Sequence, residues 1–158
     1  MTRIAIASDL SGFPLKKAVV EHLSEREGFE IIDFGIESEE KPRPYVEQAP
    51  KVAEAVQSGR ADKGILICGT GQGMAIVANK YKGVYAVVAD GVFAGERGKI
   101  INNANVLTMG GWITAPFLGI QIVDAWLSVG FTEKMEFKKE FLTNAFNQVK
   151  EIEGANFK

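Results

Sequence analysis

"KGILICGTGQGMAIVANK", residues 63–80, is the stretch on which the fold turns. Lys63–Cys68 is a short apolar run of strand length, and it stops at a glycine-rich segment. Gly69–Gly83 reads as a turn followed by a helix that begins near Gly71 or Gln72. A buried strand that feeds directly into a helix through a tight turn is the repeating unit of a parallel sheet. The only cysteine of the chain, Cys68, sits at that seam.

The same alternation runs outward in both directions. Upstream, residues 3–8 read as a strand closed by Asp9, Ser11 and Gly12. Residues 13–27 follow as a helix, with Pro14 in its first turn and Leu15, Ala18, Val19, His22, Leu23 and Arg26 at helical spacing. Residues 29–35 form a second strand, 36–44 a loop with two prolines, and 45–62 a helix in which Pro50 marks a kink or a later start. Downstream come a strand at 84–89, a helix at 91–104 weakened by Gly95 and Gly98, and a strand at 105–111. A helix at 114–130 places Phe117, Ile120, Val123 or Asp124, and Leu127 in register. A last helix runs from about Thr132 to Ile152 with an apolar face through Leu142, Ala145, Phe146, Val149 and Ile152. The strands are short continuous apolar runs, as expected when helices cover both faces. The expectation is a single α/β domain over residues 1–158, with a parallel sheet wrapped by helices.

Composition narrows the function classes. A chain of 158 residues, 46% hydrophobic, suffices for one full core. One cysteine excludes an internal disulfide, and a cytoplasmic protein is the simpler reading. The first residues lack the apolar stretch and cleavage site of a signal peptide. The net charge is −2 with both signs dispersed, so neither nucleic acid nor a membrane is an expected partner.

In open parallel sheets, ligands bind beyond the carboxyl ends of the strands. Residues 8–12 (SDLSG) and 68–73 (CGTGQG) lie at such ends. Amides at a helix start attract anions, and the same field favours a thiolate. Cys68 is thus a candidate general base, Thr70 a group that positions a substrate oxygen, and Asp9 a ligand for sugar hydroxyls. The plainer alternative is a tight turn over an inert buried thiol. "GTGQG" follows the third strand and lacks a suitably placed ribose-binding acid, which argues against a dinucleotide site. His22 reads as structural, Trp112 and Trp126 as core or interface, and no cluster has the residues for zinc.

"GILICGTGQGMAIVANKYKGVYA" and "NNANVLTMGG", with "IAIASDLSGFPLKKAVVEHL" and "IVDAWLSVGF", resemble the type B ribose-5-phosphate isomerases and the galactose-6-phosphate isomerase subunits. The resemblance implies a Rossmann-like α/β/α sandwich with a five-stranded parallel sheet. It implies aldose–ketose isomerisation of a sugar phosphate through a cis-enediol, without metal or organic cofactor. It further implies a homodimer or tetramer, or a hetero-oligomer, with the C-terminal helix on a partner subunit and each site drawn from two chains. Position by position, Cys68 falls on the proton-transferring thiol. Gly69, Thr70, Gly71, Gly73 and Met74 fall on the turn that binds the enediolate oxygen. Asp9, Leu10, Ser11 and Gly12 fall on the first substrate loop, Asn102 on a substrate-contacting asparagine, and Lys139 on a phosphate-clamping position.

The departures are specific. Leu10 and Ile101 stand where the family usually has histidines, the second of which helps open the sugar ring. Met135 and Lys139 stand where it usually has arginines, with Lys134 and Lys138 close by. A lysine replaces the charge of an arginine but not its bidentate fork. Three readings follow: a short sugar phosphate that needs no ring opening, one subunit of a hetero-oligomeric isomerase, or a non-catalytic sugar-phosphate binder.

Overall fold

The structure, a computed structural model, describes residues 1–157. Five parallel strands, β1 (Thr2–Ser8), β2 (Phe29–Asp33), β3 (Lys63–Cys68), β4 (Ala86–Val88) and β5 (Val106–Gly110), form one sheet in the order β2-β1-β3-β5-β4. The helices are α1 (Phe13–Ser24), α2 (Tyr45–Gln57), α3 (Gln72–Ala78), α4 (Val92–Asn102), α5 (Pro116–Leu127) and α6 (Lys139–Asn156). Among the described residues no helix is long and apolar enough to cross a membrane.

Alternation along the strands builds two cores. Ile4, Ile6, Ile65, Ile67, Leu107 and Met109 face α1 and α5. Ala5, Ala7, Leu66, Cys68 and Val106 face α2 and α3. Trp126 is fully buried in the first core. Gly95 and Gly98 do not weaken α4, because they are where it packs closest. A Cβ on Gly95 would land 2.8 Å from Ile122 of α5, and one on Gly98 2.8 Å from Val87 of β4.

Several elements differ from the reading of the sequence. Phe117 is exposed at the open start of α5; Val123 is buried as read, but the rest of the inward face is Gly119, Ile122 and Trp126. The last helix starts at Lys139, after a short 3-10 turn (Glu136–Lys138), because Thr132 and Lys134 adopt left-handed φ values of 65° and 62° that no helix admits. Of its apolar face, Leu142 is buried while Val149 and Ile152 remain exposed. Pro50 lies inside α2 without ending it. β4 shrinks to three residues, and Asn79 takes over beside it: its side chain donates to the Ala86 carbonyl (3.0 Å) and accepts from the Ala86 amide (2.8 Å). His22 is structural as expected, with Nε2 2.9 Å from Asp124 Oδ1.

Two lysines near the start of β3 give the fold a pH dependence. Burial, then the nearby charge of Lys63, lowers Lys99 to about 8 from 10.5. Burial lowers Lys63 as well. The native chain therefore holds fewer protons than the unfolded one between those values, and stability rises with pH through that window. At neutral pH the cost is fully present. Lys99→Met is expected to raise the urea midpoint at pH 7 and to flatten, without abolishing, the rise from pH 8 to 10. Parallel wild-type and variant curves would refute this origin.

Candidate active site

The sheet order places the two loops named from the sequence side by side. β1 pairs with β3, yet α1 leads from β1 to one edge while α3 leads from β3 toward the other. The crevice between diverging connections is where α/β sheets bind ligands. The Asp9 amide donates to the Ile67 carbonyl at 3.2 Å. A Cβ on Gly12 would land 2.5 Å from the Ile67 carbonyl carbon, so only glycine lets the first loop close onto β3.

Cys68 ends β3 on the α2/α3 side and retains 5% exposure, a sliver of contact with solvent in the isolated chain. Its Sγ accepts a hydrogen bond from the Gly71 amide at 3.1 Å. That bond exists because Gly71 takes φ +79°, which turns the chain back over the sulfur. The Gly71 carbonyl is held in turn by the buried Thr108 hydroxyl, which donates to it at 2.9 Å. Thr70 Oγ1 accepts from the Gln72 amide at 3.3 Å. The amides of Gly73 and Met74, in the first turn of α3, have no partner among the described residues.

The glycines do less for ligand access than the sequence suggests. The space over Gly69 is filled by the Trp112 ring, and the space over Gly73 by the Tyr45 ring, each within 2.7–3.0 Å of where a Cβ would stand. The Met74 side chain is fully buried in the core, so only its main chain is left to face a ligand. Asp9 Oδ1 accepts from the Gly12 amide at 3.1 Å. Burial pushes its carboxyl above the ordinary range, against the opposing pull of the Gly12 and Ser11 amides. Leu10, next to it, is exposed.

Asn102 and Lys139 are not brought to this crevice. Helices run antiparallel to the strands they follow, so the last residue of α4 lies toward the amino ends of the strands, the opposite end of the sheet from Cys68. There Asn102 and Ile101 line a cavity of about 280 Å³ with Tyr85, Phe141, Leu142 and Phe146. Lys139 is exposed one helical turn before Leu142, and Lys134 is paired with Glu96. The chain thus carries one set of the named residues at each end. Tyr45 and Trp112 were not singled out as site residues from the sequence. Tyr45 reads there only as a helix start, and nothing local connects either ring to a glycine dozens of residues away.

The sequence profile described as Ribose/Galactose Isomerase matches residues 4–151. A 4-deoxy-4-sulfo-D-erythrose isomerase from Clostridium sp. (strain MSTE9) is 47% identical over 152 residues, covering 96% of this chain and 95% of that one. The ribose-5-phosphate isomerase B of Escherichia coli (strain K12) is 44% identical over 131 residues, covering 83% and 87%. The structure of the Clostridium thermocellum ribose-5-phosphate isomerase B superposes with a TM-score of 0.88 at 36% identity, covering 98% of this chain and 99% of that one.

Proposed function

As a member of the ribose/galactose isomerase family this chain is an aldose–ketose isomerase, and we propose that it acts on a four-carbon sugar with an anionic group on its last carbon. The observation that carries the substrate reading is Leu10, an exposed apolar side chain beside Asp9 at the crevice. It stands, like Ile101, where a histidine would serve a ring-closed sugar. A tetrose whose C4 bears a sulfonate, or whose O4 is a phosphate ester, has no free C4 hydroxyl to close a furanose. Its aldehyde is already open, and no ring opener is needed. The similarity to a sulfo-erythrose isomerase supports the same substrate class.

In this reading the Cys68 sulfur, held by the hydrogen bond from the Gly71 amide, removes the proton from C2. The C2–H electron pair becomes the C1=C2 bond of a cis-enediolate. Charge on its oxygen meets the unpartnered amides of Gly73 and Met74. The thiol returns the proton to C1 while the proton on O2 moves to O1, so that C2=O2 forms as C1=C2 is lost, and the ketose results with no change in overall composition. Asp9 orients hydroxyls. The site is completed by a second copy of the chain, whose Asn102 and Lys139 reach over the Cys68 turn, because one chain holds these groups at opposite ends of its sheet. The enzyme works in the cytoplasm.

The test is a panel of four-, five- and six-carbon sugar phosphates and the four-carbon sulfonate, incubated with the purified chain in deuterated water. Deuterium entry and ketose formation are expected with the four-carbon compounds, at a kcat/KM about tenfold or more above that for ribose 5-phosphate. The reverse order would overturn the substrate reading. Absence of exchange across the panel would overturn the single-chain enzyme.

A further inference from the structure

Trp112 follows β5 on a backbone pinned at four points. The Gly111 amide donates to the Cys68 carbonyl (2.7 Å) and the Trp112 amide to the Gly69 carbonyl (3.0 Å). The Ile113 and Thr114 amides both donate to the Gly110 carbonyl, at 3.1 and 2.8 Å. The ring sits against the same turn. Three indole atoms would stand 2.7–2.9 Å from a Cβ on Gly69, so the ring lies in contact with the residue that follows Cys68. Despite that seat the side chain is 75% exposed, while the chain's other tryptophan is fully buried. An apolar plate on a pinned backbone therefore stands open to whatever enters the crevice. The Tyr45 ring bounds the far end of the same turn, over Gly73.

We propose that Trp112 is the specificity-determining wall of the site, setting the length of sugar that can lie over the Cys68 turn. The inference rests on the sugar-isomerase reading and deepens it. Cys68 must meet C1 and C2 of any substrate, so the remaining carbons have to run along the space the two rings leave. A hydroxylated carbon pressed on the indole face loses hydrogen bonds to water that the ring does not replace. A bare methylene or a C–H face gains apolar contact there. A four-carbon chain ends before that conflict arises, whereas each added hydroxymethine brings it on.

The test compares wild type, Trp112→Phe and Trp112→Ala. The binding probes are four- and five-carbon aldonic acids with a terminal phosphate, whose carboxylate mimics an enediolate, titrated by calorimetry. The matching aldose phosphates give kcat/KM, and sedimentation gives the assembly state. Trp112→Ala is expected to shift the four-to-five-carbon ratio toward five carbons by about tenfold or more, in binding and in turnover. Trp112→Phe should stay nearer wild type, and the assembly state should not change. A ratio within twofold of wild type would overturn the proposal. So would equal loss for both lengths with altered assembly, which would make the ring a subunit contact. A wild type that prefers five carbons defeats the four-carbon reading alone, because the shift on removing the ring is measured relative to whatever wild type prefers.

Discussion

Cys68→Ala is expected to lower kcat/KM by about 10²–10⁴-fold while substrate affinity stays within a few-fold of wild type. The substitution removes the proposed base, the sulfur that accepts a hydrogen bond from the Gly71 amide at 3.1 Å. It leaves the turn itself, which is held by the Thr108 hydroxyl and by the Gly111 and Trp112 amides on the Cys68 and Gly69 carbonyls. Loss of turnover should come with loss of C2 proton exchange, measured by NMR. A variant that still exchanges that proton at the wild-type rate would eliminate the thiol as base. The same variant tests the shared site. Mixed and reassembled with Asn102→Ala, it should recover about a quarter of wild-type activity, since half of the random dimers then hold one intact site. No recovery, with both variants dimeric, would place Asn102 outside the partner's site.

Gly71→Ala should damage both stability and activity. Its φ of +79° is left-handed, which costs a residue with a Cβ about 1–3 kcal/mol. The new Cβ would also stand 2.9–3.1 Å from the Met109 backbone, which sits in the middle of the sheet and has no room to retreat. Relief has to come from the turn, and a shifted turn withdraws the amide from the Cys68 sulfur. Gly83→Ala is the control: the same φ of +79°, with nothing near the added Cβ. Urea unfolding should show a loss at both positions that is larger at 71. Turnover should fall about tenfold or more at 71 and hold at 83. Equal effects on turnover at the two positions would mean that the turn geometry does not serve the thiol.

The strand–turn–helix reading of residues 63–80 was legible because a short apolar run, a cysteine and the glycines at 69, 71 and 73 leave few other conformations. Gly95 and Gly98 were misleading: helix propensity counts them as weak points, and only the approach of Ile122 and Val87 explains them. The late start of α6 was hidden because left-handed backbone at Thr132 and Lys134 breaks no composition rule. Lys16 lies outside the apolar positions that the spacing marks in α1. It is buried, with Nζ donating to Asp33 at 2.8 Å and to the Ile36 carbonyl at 2.8 Å, and it ties the loop before α2 to α1.

The order of strands and helices, the presence of a thiol at a strand end and the apolar residues at positions 10 and 101 are properties of the sequence alone. Each depends on a residue and its near neighbours, which is the range over which backbone preference and side-chain chemistry act. Which residues face that thiol is different in kind. Trp112 and Tyr45 arrive over Gly69 and Gly73 through contacts spanning tens of residues, Asn102 is carried to the opposite end of the sheet by the antiparallel run of α4 against β4, and Lys139 starts α6 one turn before Leu142, which lines the same cavity as Asn102. Those placements follow from strand order and close packing, quantities that exist only once the chain has folded.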